Sequence, residues 1–265
     1  MAAKGSSKLR PDFATIGGVL LAAGGILGGL LLEGGSIGDI LQHTAAMIVL
    51  GGTLGAVMVN TPMATLKGGL MRFSSVLFEK VQDTKQRVDV LVDFATKARK
   101  QGVVSLEAEL AAVQDPFLRK AVSLAIDGAD LQDIRAMLDL EIGLEEHRAE
   151  QEAKVFESAG GYAPTIGIIG AVLGLIQVMK NLSNVEEVGH GIAVAFVATV
   201  YGVAISNLLF LPAANKMKAR ARQHAELMEM TLEGITGIVE GMNPKLLRMK
   251  LEPFVHEPPV KAKKK

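Results

Sequence analysis

Apolar and charged positions are segregated along this chain, and the segregation predicts four membrane-spanning helices. Four apolar stretches contain no Asp, Glu, Lys or Arg, and they lie at 13–32, 40–61, 162–179 and 192–211. Each is long enough to cross a hydrocarbon layer of roughly 30 Å as a helix that rises about 1.5 Å per residue. The charged residues concentrate at 63–158 and after position 211. The pattern therefore predicts an all-α integral membrane protein with four transmembrane helices and two polar helical regions.

Lysine and arginine indicate which span ends face the cytoplasm, because basic residues near span ends are retained on that side. They precede span one and follow spans two and four, at Lys4, Lys8, Arg10, Lys67, Arg72, Lys216, Lys218, Arg220 and Arg222. Both termini are therefore expected in the cytoplasm. The predicted division is a cytoplasmic N-terminus at 1–12, a transmembrane hairpin at 13–61, a cytoplasmic helical domain at 62–159, a second hairpin at 160–212 and a cytoplasmic C-terminal helix with a basic tail at 213–265.

Helix-start and helix-stop residues subdivide the cytoplasmic domain. One helix is expected over 74–100, with Gly102 ending it. Asp115 before Pro116 combines an N-cap with a first-turn proline and predicts a second helix start. Asp130 is expected to cap a third helix that runs to about position 158.

Composition narrows the function classes. The 265 residues carry a formal net charge of zero and no basic stripe interleaved with aromatics, so nucleic acid is not an expected partner. The absence of cysteine excludes a disulfide framework and a cysteine nucleophile. No Walker A loop, HExxH, GxSxG or GxGxxG occurs, so ATP-driven transport and familiar hydrolysis lack support. We expect a protein that is not an enzyme and has no cofactor.

Small side chains recur at helical spacing in spans three and four, where each set lies on one helix face. The sets are Gly167, Ala171 and Gly174 in span three, preceded by Thr165, and Ala195, Thr199, Gly202 and Ser206 in span four. Small faces allow close approach of backbones, so they serve either packing within this bundle or a groove for a partner helix. In spans one and two, GxxxG pairs predict packing between neighbouring spans or subunits, at Gly24 with Gly28, Gly25 with Gly29, and Gly51 with Gly55.

Thr199 is the clearest candidate for an ion path. A lone hydroxyl deep in an apolar span can coordinate a cation or orient water, or it can bond back to its own helix. No span contains a carboxylate, so the chain alone offers no intramembrane group that could bind and release an ion. If the chain conducts ions, a partner must supply the acid.

Two prolines and two charged residues have both an ordinary and a functional interpretation. Pro164 and Pro212 lie at the cytoplasmic mouths of spans three and four, where they either punctuate the helices or act as hinges. Arg99 and Glu107 flank Gly102, and by charge count alone they are ordinary surface residues.

Several sequence runs closely resemble the MotA/PomA family of flagellar stator proteins. The region 159–216 contains AGGYAPTIGIIGAVLGL, GIAVAFVATVYG and NLLFLPAANK. The resemblance extends to LEGG near Glu33, IVLGGTLGA at 48–56, ARKQG with SLE at 98–107, and NPK near Asn243. Four spans with a large inner loop also fit this family.

The resemblance implies a stator subunit of the bacterial flagellar motor in the inner membrane. In the family, five A subunits surround two MotB-type subunits, whose single span carries the aspartate that this chain lacks. Ion passage past that aspartate is thought to rotate the A ring and to push the rotor switch protein. By residue match, Arg99 and Glu107 correspond to the rotor contacts, Pro164 and Pro212 to the two prolines, and Thr199 to the hydroxyl of the ion path.

Ala171 bears on the coupling ion. Sodium-type relatives have a threonine at the position that matches Ala171, so this chain lacks one oxygen ligand there. Desolvating sodium without enough oxygens is costly, whereas a proton needs only a carboxylate and water. We therefore expect protons, with sodium as the alternative.

Two other functions remain open from the sequence. A TolQ/ExbB-type energiser of outer-membrane processes is similar in the last two spans, but those relatives usually have three spans. A membrane scaffold that conducts nothing would also use small-residue faces for packing alone.

Overall fold

The computed structural model describes residues 9–80 and 84–255, which are mostly helical. Its helices are α1 Phe13–Leu32, α2 Ile37–Ile40, α3 His43–Ala46, α4 Gly52–Asn60, α5 Met63–Leu77, α6 Thr84–Gln101, α7 Glu107–Leu110, α8 Pro116–Ile126, α9 Leu131–Lys180, α10 Val185–Ile205, α11 Leu211–Val239 and α12 Pro244–Leu251. π-helical turns at Met47–Gly51 and Ser206–Phe210 connect α3 to α4 and α10 to α11, and 3-10 turns lie at Val103–Leu106 and Glu252–Phe254. Two short strands, β1 Leu9–Pro11 and β2 Phe78–Lys80, pair with each other.

Four helical stretches of the described residues are long and apolar enough to cross a membrane. They are Phe13–Leu32, His43–Asn60, Leu131–Lys180 and Val185–Val239. The predicted all-α membrane fold with a helical domain between spans two and three is confirmed. The predictions for residues 1–8 and for the basic tail beyond position 255 lie outside the described residues.

Span two begins later than the sequence predicts. The helix is interrupted at Leu41 and Gln42, so the long span starts at His43 rather than at position 40. Both interrupting residues have extended backbone angles, with ψ of 91° at Leu41 and 106° at Gln42. Hydropathy does not register such a break, because an average over many residues does not report the backbone conformation of two of them.

Two helix predictions in the polar region also need correction. The single helix expected over 74–100 is wrong, because α5 ends at Leu77 and α6 begins at Thr84, with β2 between them. The helix expected to stop near position 158 continues as α9 to Lys180, through Pro164. The pairing of β1 with β2, which come from distant parts of the chain, interrupts the helix expected over 74–100. Neither this interruption nor the continuation of α9 through Pro164 has a local signal in the sequence.

The chain forms two compact units, each with its own core. Among the described residues, the membrane unit comprises 10–79 and 148–219, and the inter-span unit comprises 80–147 and 220–255 together with Leu9. In the inter-span unit, helices α6, α8, α11 and α12 with the start of α9 bury side chains such as Leu91, Ile134, Leu138, Met230 and Leu247. The membrane unit holds smaller clusters, and one of them packs Ala45 and Val49 against Val197 and Ala198.

Candidate ion path and helix joints

Spans three and four pack closely through glycine. A Cβ added to Gly202 would lie 2.5 Å from the Ala163 carbonyl oxygen, and one added to Gly167 would lie 2.9 Å from the Ala198 carbonyl oxygen. At the other end of the contact, a Cβ on Gly174 would lie 2.7 Å from the Gly191 carbonyl oxygen. Backbone therefore meets backbone along the contact, which is the geometry that small residues permit.

This contact corrects the partner-groove interpretation. Gly167, Gly174, Ala195 and Gly202 are all buried against the neighbouring span of the same chain. Ser206 is buried as well, and its hydroxyl donates to the Gly160 carbonyl oxygen at 2.6 Å. The physical reason is that a short connection joins spans three and four, so each presents its small face to the nearest helix. These five residues serve packing within the chain, which was the alternative left open.

The span surfaces that remain open carry large apolar side chains. On span three they recur at helical spacing, at Ile168, Ile169, Val172 and Ile176. On span four the open positions include Phe196, Val200 and Val203. Span one has no buried residue, and a Cβ on Gly24, Gly28, Gly51 or Gly55 would meet nothing within 4 Å. A single chain therefore leaves its GxxxG faces and these apolar stripes uncovered.

The two hydroxyls of the candidate ion path are bonded to their own helices. Thr199 is half-buried, and its Oγ1 donates to the Ala195 carbonyl oxygen at 3.2 Å. Thr165 is exposed, and its Oγ1 donates to the Tyr162 carbonyl oxygen at 2.8 Å. Each hydroxyl oxygen keeps lone pairs that can accept from water or face a cation. Ala171 is half-buried on α9.

Thr199 lies beside the closest approach of the two spans. A Cβ on Gly167 would lie 3.4 Å from the Thr199 Cα. Thr165 and Gly167 are two positions apart on α9 and so point to different sides of it. The two hydroxyls therefore lie on spans that touch, while the oxygen of Thr165 belongs to the exposed side. Their assignment to an ion path stays a prediction.

The two prolines sit in different local structures. Pro164 lies inside the unbroken helix α9, whereas Pro212 is the second residue of α11, directly after the Ser206–Phe210 π-turn. In that turn the Leu211 N–H donates to the Ser206 carbonyl, five residues back. The Asn207 side chain donates to the Val203 carbonyl oxygen at 2.9 Å. A π-turn and a proline together mark this point as an irregular segment of the fourth span.

Tyr201 is a residue that the sequence analysis missed. Its hydroxyl donates to the Ile40 carbonyl oxygen and accepts from the Gln42 N–H at 3.3 Å. It thus supplies partners to backbone groups on both sides of the interruption in span two. Such partners matter in a membrane, where unpaired backbone groups are costly. The signal was available, because a tyrosine hydroxyl inside an apolar span needs a partner.

Ion pairs secure the polar ends of the membrane unit. Asp12 caps α1 by accepting from the Thr15 N–H at 2.9 Å, and Lys216 Nζ lies 2.5 Å from the Asp12 carboxylate. Glu152, whose side chain is 6% exposed, lies 2.5 Å from Arg72. Asp12 and Glu152 are mostly buried, so each requires its cationic partner. The charge pattern indicated which residues flank the spans but not how they pair.

In the inter-span unit, Arg99 and Glu107 are exposed on either side of Gly102, whose φ of 84° separates α6 from the next turn. Within the described ranges neither residue forms an ion pair. The connection across this turn is made instead by Lys97 and Glu109, whose charged atoms lie 2.6 Å apart. The hydrogen bond that Lys97 donates to the Glu109 carboxylate raises the pKa of Lys97 above its ordinary value. Arg99 and Glu107 therefore remain available to a partner.

Asp115 organises the start of α8. It accepts from the backbone N–H groups of Phe117 and Leu118, and its carboxylate pairs with Arg87. Burial alone would raise the pKa of Asp115, but the charge of Arg87 and these hydrogen bonds outweigh it and hold the pKa below its ordinary value. The sequence prediction of a cap at Asp115 is confirmed.

The fold and these sites define a class of protein, a four-span membrane protein with a helical domain inserted between spans two and three. Two family models match the chain, the MotA/TolQ/ExbB proton channel family over residues 109–230 and the N-terminal region of motility protein A over 16–102. The chain is 36% identical over 244 residues to motility protein A of Helicobacter pylori, covering 92% of this chain and 95% of that protein.

Solved structures agree with this relation. A structure of MotAB from C. jejuni superposes with a TM-score of 0.89 at 30% identity, covering 96% of this chain and 100% of that one. The flagellar MotAB stator complex of Bacillus subtilis gives a TM-score of 0.86 at 34% identity, covering 92% of this chain and 96% of that one. The chain belongs to the motility protein A family of flagellar stator proteins.

Proposed function

We propose that this chain is the A subunit of a flagellar motor stator, which forms an ion channel with a MotB-type partner and couples ion flow to torque on the rotor. The observation that carries the proposal is the match to MotAB stator structures over nearly the whole chain. A MotB-type partner and an oligomeric assembly are both expected from those complexes. The large apolar stripes that a single chain leaves uncovered can face either lipid or other subunits.

The partner supplies the titrating group in this proposal. No Asp, Glu, Lys or Arg occurs in the stretches 13–32, 40–61, 162–179 and 192–211. A membrane channel that carries protons by binding and release needs an ionisable group within the bilayer. An aspartate on the single span of a MotB-type subunit meets that need, in a complex of five A and two B subunits.

The proposed coupling ion is the proton, with sodium as the alternative. The Ala171 side chain carries no oxygen, and the Thr199 hydroxyl donates a hydrogen bond to the Ala195 carbonyl oxygen. A sodium site requires several oxygen ligands in place of water, whereas proton transfer requires a carboxylate and a water chain. The lone pairs of Thr199 are free to orient such a water.

The proposed location is the bacterial inner membrane with both termini in the cytoplasm. The basic residues next to the spans support this orientation, including Arg72 and Lys216 in the described part of the chain. The inter-span unit then faces the rotor. Arg99 and Glu107 are the proposed rotor contacts, and Pro164 and Pro212 are the proposed hinges between the ion path and this unit.

A complementation experiment tests the proposal. The chain and its MotB-type partner are expressed in a strain that lacks its stator genes, and swimming speed is measured as sodium and external pH are varied. We expect restored swimming that does not depend on sodium. Sodium-dependent swimming would reassign the ion, and absence of swimming with a correctly inserted complex would contradict the stator function.

Thr199 variants separate a channel from a scaffold. Thr199→Val keeps the shape but removes the hydroxyl, so we expect a large loss of swimming speed with normal membrane insertion. Thr199→Ser keeps the hydroxyl and is the matched control, with swimming mostly retained. Equal swimming of both variants would show that the hydroxyl has no part in ion flow.

The TolQ/ExbB-type alternative is not favoured, since the N-terminal motility protein A model covers spans one and two.

A further inference from the structure

We infer that Ser206 is a positioning residue that joins the proline-containing segments of spans three and four, because it replaces the hydrogen bond that Pro164 removes. Its contribution to torque rests on the proposed function, whereas the pairing itself does not. Pro164, Gly160 and Ser206 all lie in the membrane unit.

Pro164 leaves one carbonyl without its ordinary donor. In an α-helix the N–H of each residue donates to the carbonyl four residues earlier, so position 164 would serve Gly160. Proline has no N–H, and α9 continues through it. Gly160 is buried, so its carbonyl has little access to water. An unpaired carbonyl at such a place is destabilising.

Ser206 supplies the missing donor from the neighbouring span. Its Oγ lies 2.6 Å from the Gly160 carbonyl oxygen, and the residue is 1% exposed. A serine buried this completely would otherwise be a liability in an apolar bundle. The hydroxyl of one span therefore completes the backbone hydrogen bonding of the other.

Gly160 on α9 and the segment from Ser206 to Leu211 on the fourth span pack closely against each other. A Cβ on Gly160 would lie 2.5 Å from Cδ2 of Leu211, so a larger residue there would require the Leu211 side chain to shift. Leu211 immediately precedes Pro212, and its N–H closes the π-turn on the Ser206 carbonyl. Gly160 and Ser206 thus bring together the irregular segments around Pro164 and Pro212.

The hydrogen bond between Ser206 and Gly160 couples the movements of the two proline-containing segments. With the hydrogen bond in place, a change in bend at Pro164 displaces the π-turn before Pro212, and the reverse also holds. Without it, only packing contacts such as Leu211 against Gly160 connect the two proline segments. Ser206 therefore contributes to transmission between the two spans rather than to the ion path itself.

A double-mutant cycle with Pro164 tests the pairing. Thermal unfolding is measured on the detergent-purified full-length chain in complex with its partner subunit. Ser206→Ala is expected to lower the unfolding midpoint by about 5 °C, because it leaves the Gly160 carbonyl unpaired. Pro164→Ala restores a backbone N–H to that carbonyl, so adding Ser206→Ala to this variant should cost less than about half as much.

Two further variants serve as controls. Ser206→Cys keeps a weak donor of similar size and should give an intermediate midpoint. Ser158→Ala removes a hydroxyl of α9, the helix that contains Pro164, which accepts from Asn60 instead, so its effect should be the same with and without Pro164. An equal loss from Ser206→Ala in both Pro164 backgrounds, or no loss in the wild type, would overturn the pairing.

Swimming speed tests the transmission role of Ser206. In the complemented strain, Ser206→Ala should lower swimming speed by about half or more at unchanged complex abundance, while Ser158→Ala should leave it unchanged. Unchanged speed with Ser206→Ala would overturn the transmission role. If even the wild-type chain restored no swimming, the stator function would fail, and the thermal cycle would still judge the hydrogen bond.

Discussion

Single residues decide how closely spans three and four approach. Glycine at three points of the contact brings backbones together, and Ser206 adds a hydrogen bond between the two spans. Thr199 lies beside this contact but bonds within its own helix. The glycines and Ser206 therefore hold the two spans together, whereas Thr199 is available to an ion or to water.

Gly202→Ala should disrupt the span contact. The added methyl would lie 2.5 Å from the Ala163 carbonyl oxygen, which belongs to rigid backbone, so the two helices must separate. Overpacking of this kind costs about 1–3 kcal/mol. We expect a lower thermal unfolding midpoint of the purified complex and reduced swimming.

Gly189→Ala is the matched control for that substitution. Gly189 lies on the same helix, α10, and a Cβ there would meet nothing within 4 Å. We expect no loss of stability. If the two alanine variants behaved alike, the close packing at Gly202 would have no energetic importance.

At the scale of elements, capping residues and irregular turns determine where helices begin and how they connect. Asp12 and Asp115 each accept from the first turn of a helix and also pair with a base from a distant segment. The π-turns in spans two and four place an extra residue in a turn. A local signal predicted the cap at Asp115 but not the cap at Asp12, and the bases and the π-turns depend on packing partners.

Asp115→Asn should weaken α8 in a pH-dependent way. The asparagine can still cap the helix, but it loses the charge that pairs with Arg87, at a cost of about 1 kcal/mol. The pKa of Asp115 is depressed in the folded chain, so its contribution is full above the unfolded value of about 3.9 and is lost as the pH falls through the folded pKa. The wild type and the variant should therefore converge in acid.

Amide hydrogen exchange across Pro116–Ile126 measures this effect in the full-length complex. Exchange of these amides should be faster in Asp115→Asn at pH 7. The pH dependence is followed by thermal unfolding at pH 7 and at pH 3. A gap between the variants that persists undiminished in acid would contradict the assigned role of the charge.

The pair of Asp12 and Lys216 should hold the start of span one. Asp12→Asn and Lys216→Met each remove one charge of a mostly buried pair, so each single change loses the attraction between the two groups. We expect each to lower the unfolding midpoint and the double variant to cost less than the sum of the two, by a coupling of about 1 kcal/mol or more.

The more exposed pair of Glu157 and Lys218 provides a comparison. The same cycle there should give a smaller coupling, because solvent screens exposed charges. Strictly additive effects of Asp12→Asn and Lys216→Met would show that the pair does not anchor span one.

For the whole molecule, the proposed function requires contacts that one chain cannot make. The uncovered apolar stripes of the membrane unit need other subunits or lipid, and the exposed Arg99 and Glu107 of the inter-span unit have no ion pair among the described residues. The assembly, rather than the isolated chain, is therefore the functional object.

Reversal of the charges at Arg99 and Glu107 should impair motility without destabilising the chain. Both side chains are exposed, so Arg99→Glu and Glu107→Arg should change stability by less than about 0.5 kcal/mol. We expect a large loss of swimming from each, measured together with complex abundance. Lys100→Glu, an exposed neighbour on α6, is the control and should have a smaller effect. Normal swimming of both reversed variants would exclude these residues as rotor contacts.

Parts of this fold were predictable for clear physical reasons. A bilayer demands continuous apolar helices, so span one was predicted to the residue at Phe13–Leu32. The cap at Asp115 was predictable because its acceptor, its proline and its helix are adjacent in sequence. The break between α5 and α6 and the interruption in span two were not, because β1 and Tyr201 come from distant parts of the chain.

The sequence by itself determined the four spans, their lack of charge and the family, since hydropathy and motif spacing are properties of contiguous residues. Only the tertiary structure decided that the small faces of spans three and four meet each other, and that Ser206 supplies the Gly160 carbonyl with a donor across 46 positions of the chain. Small side chains permit close approach to any helix. The packing of the whole chain determines which helix lies against them.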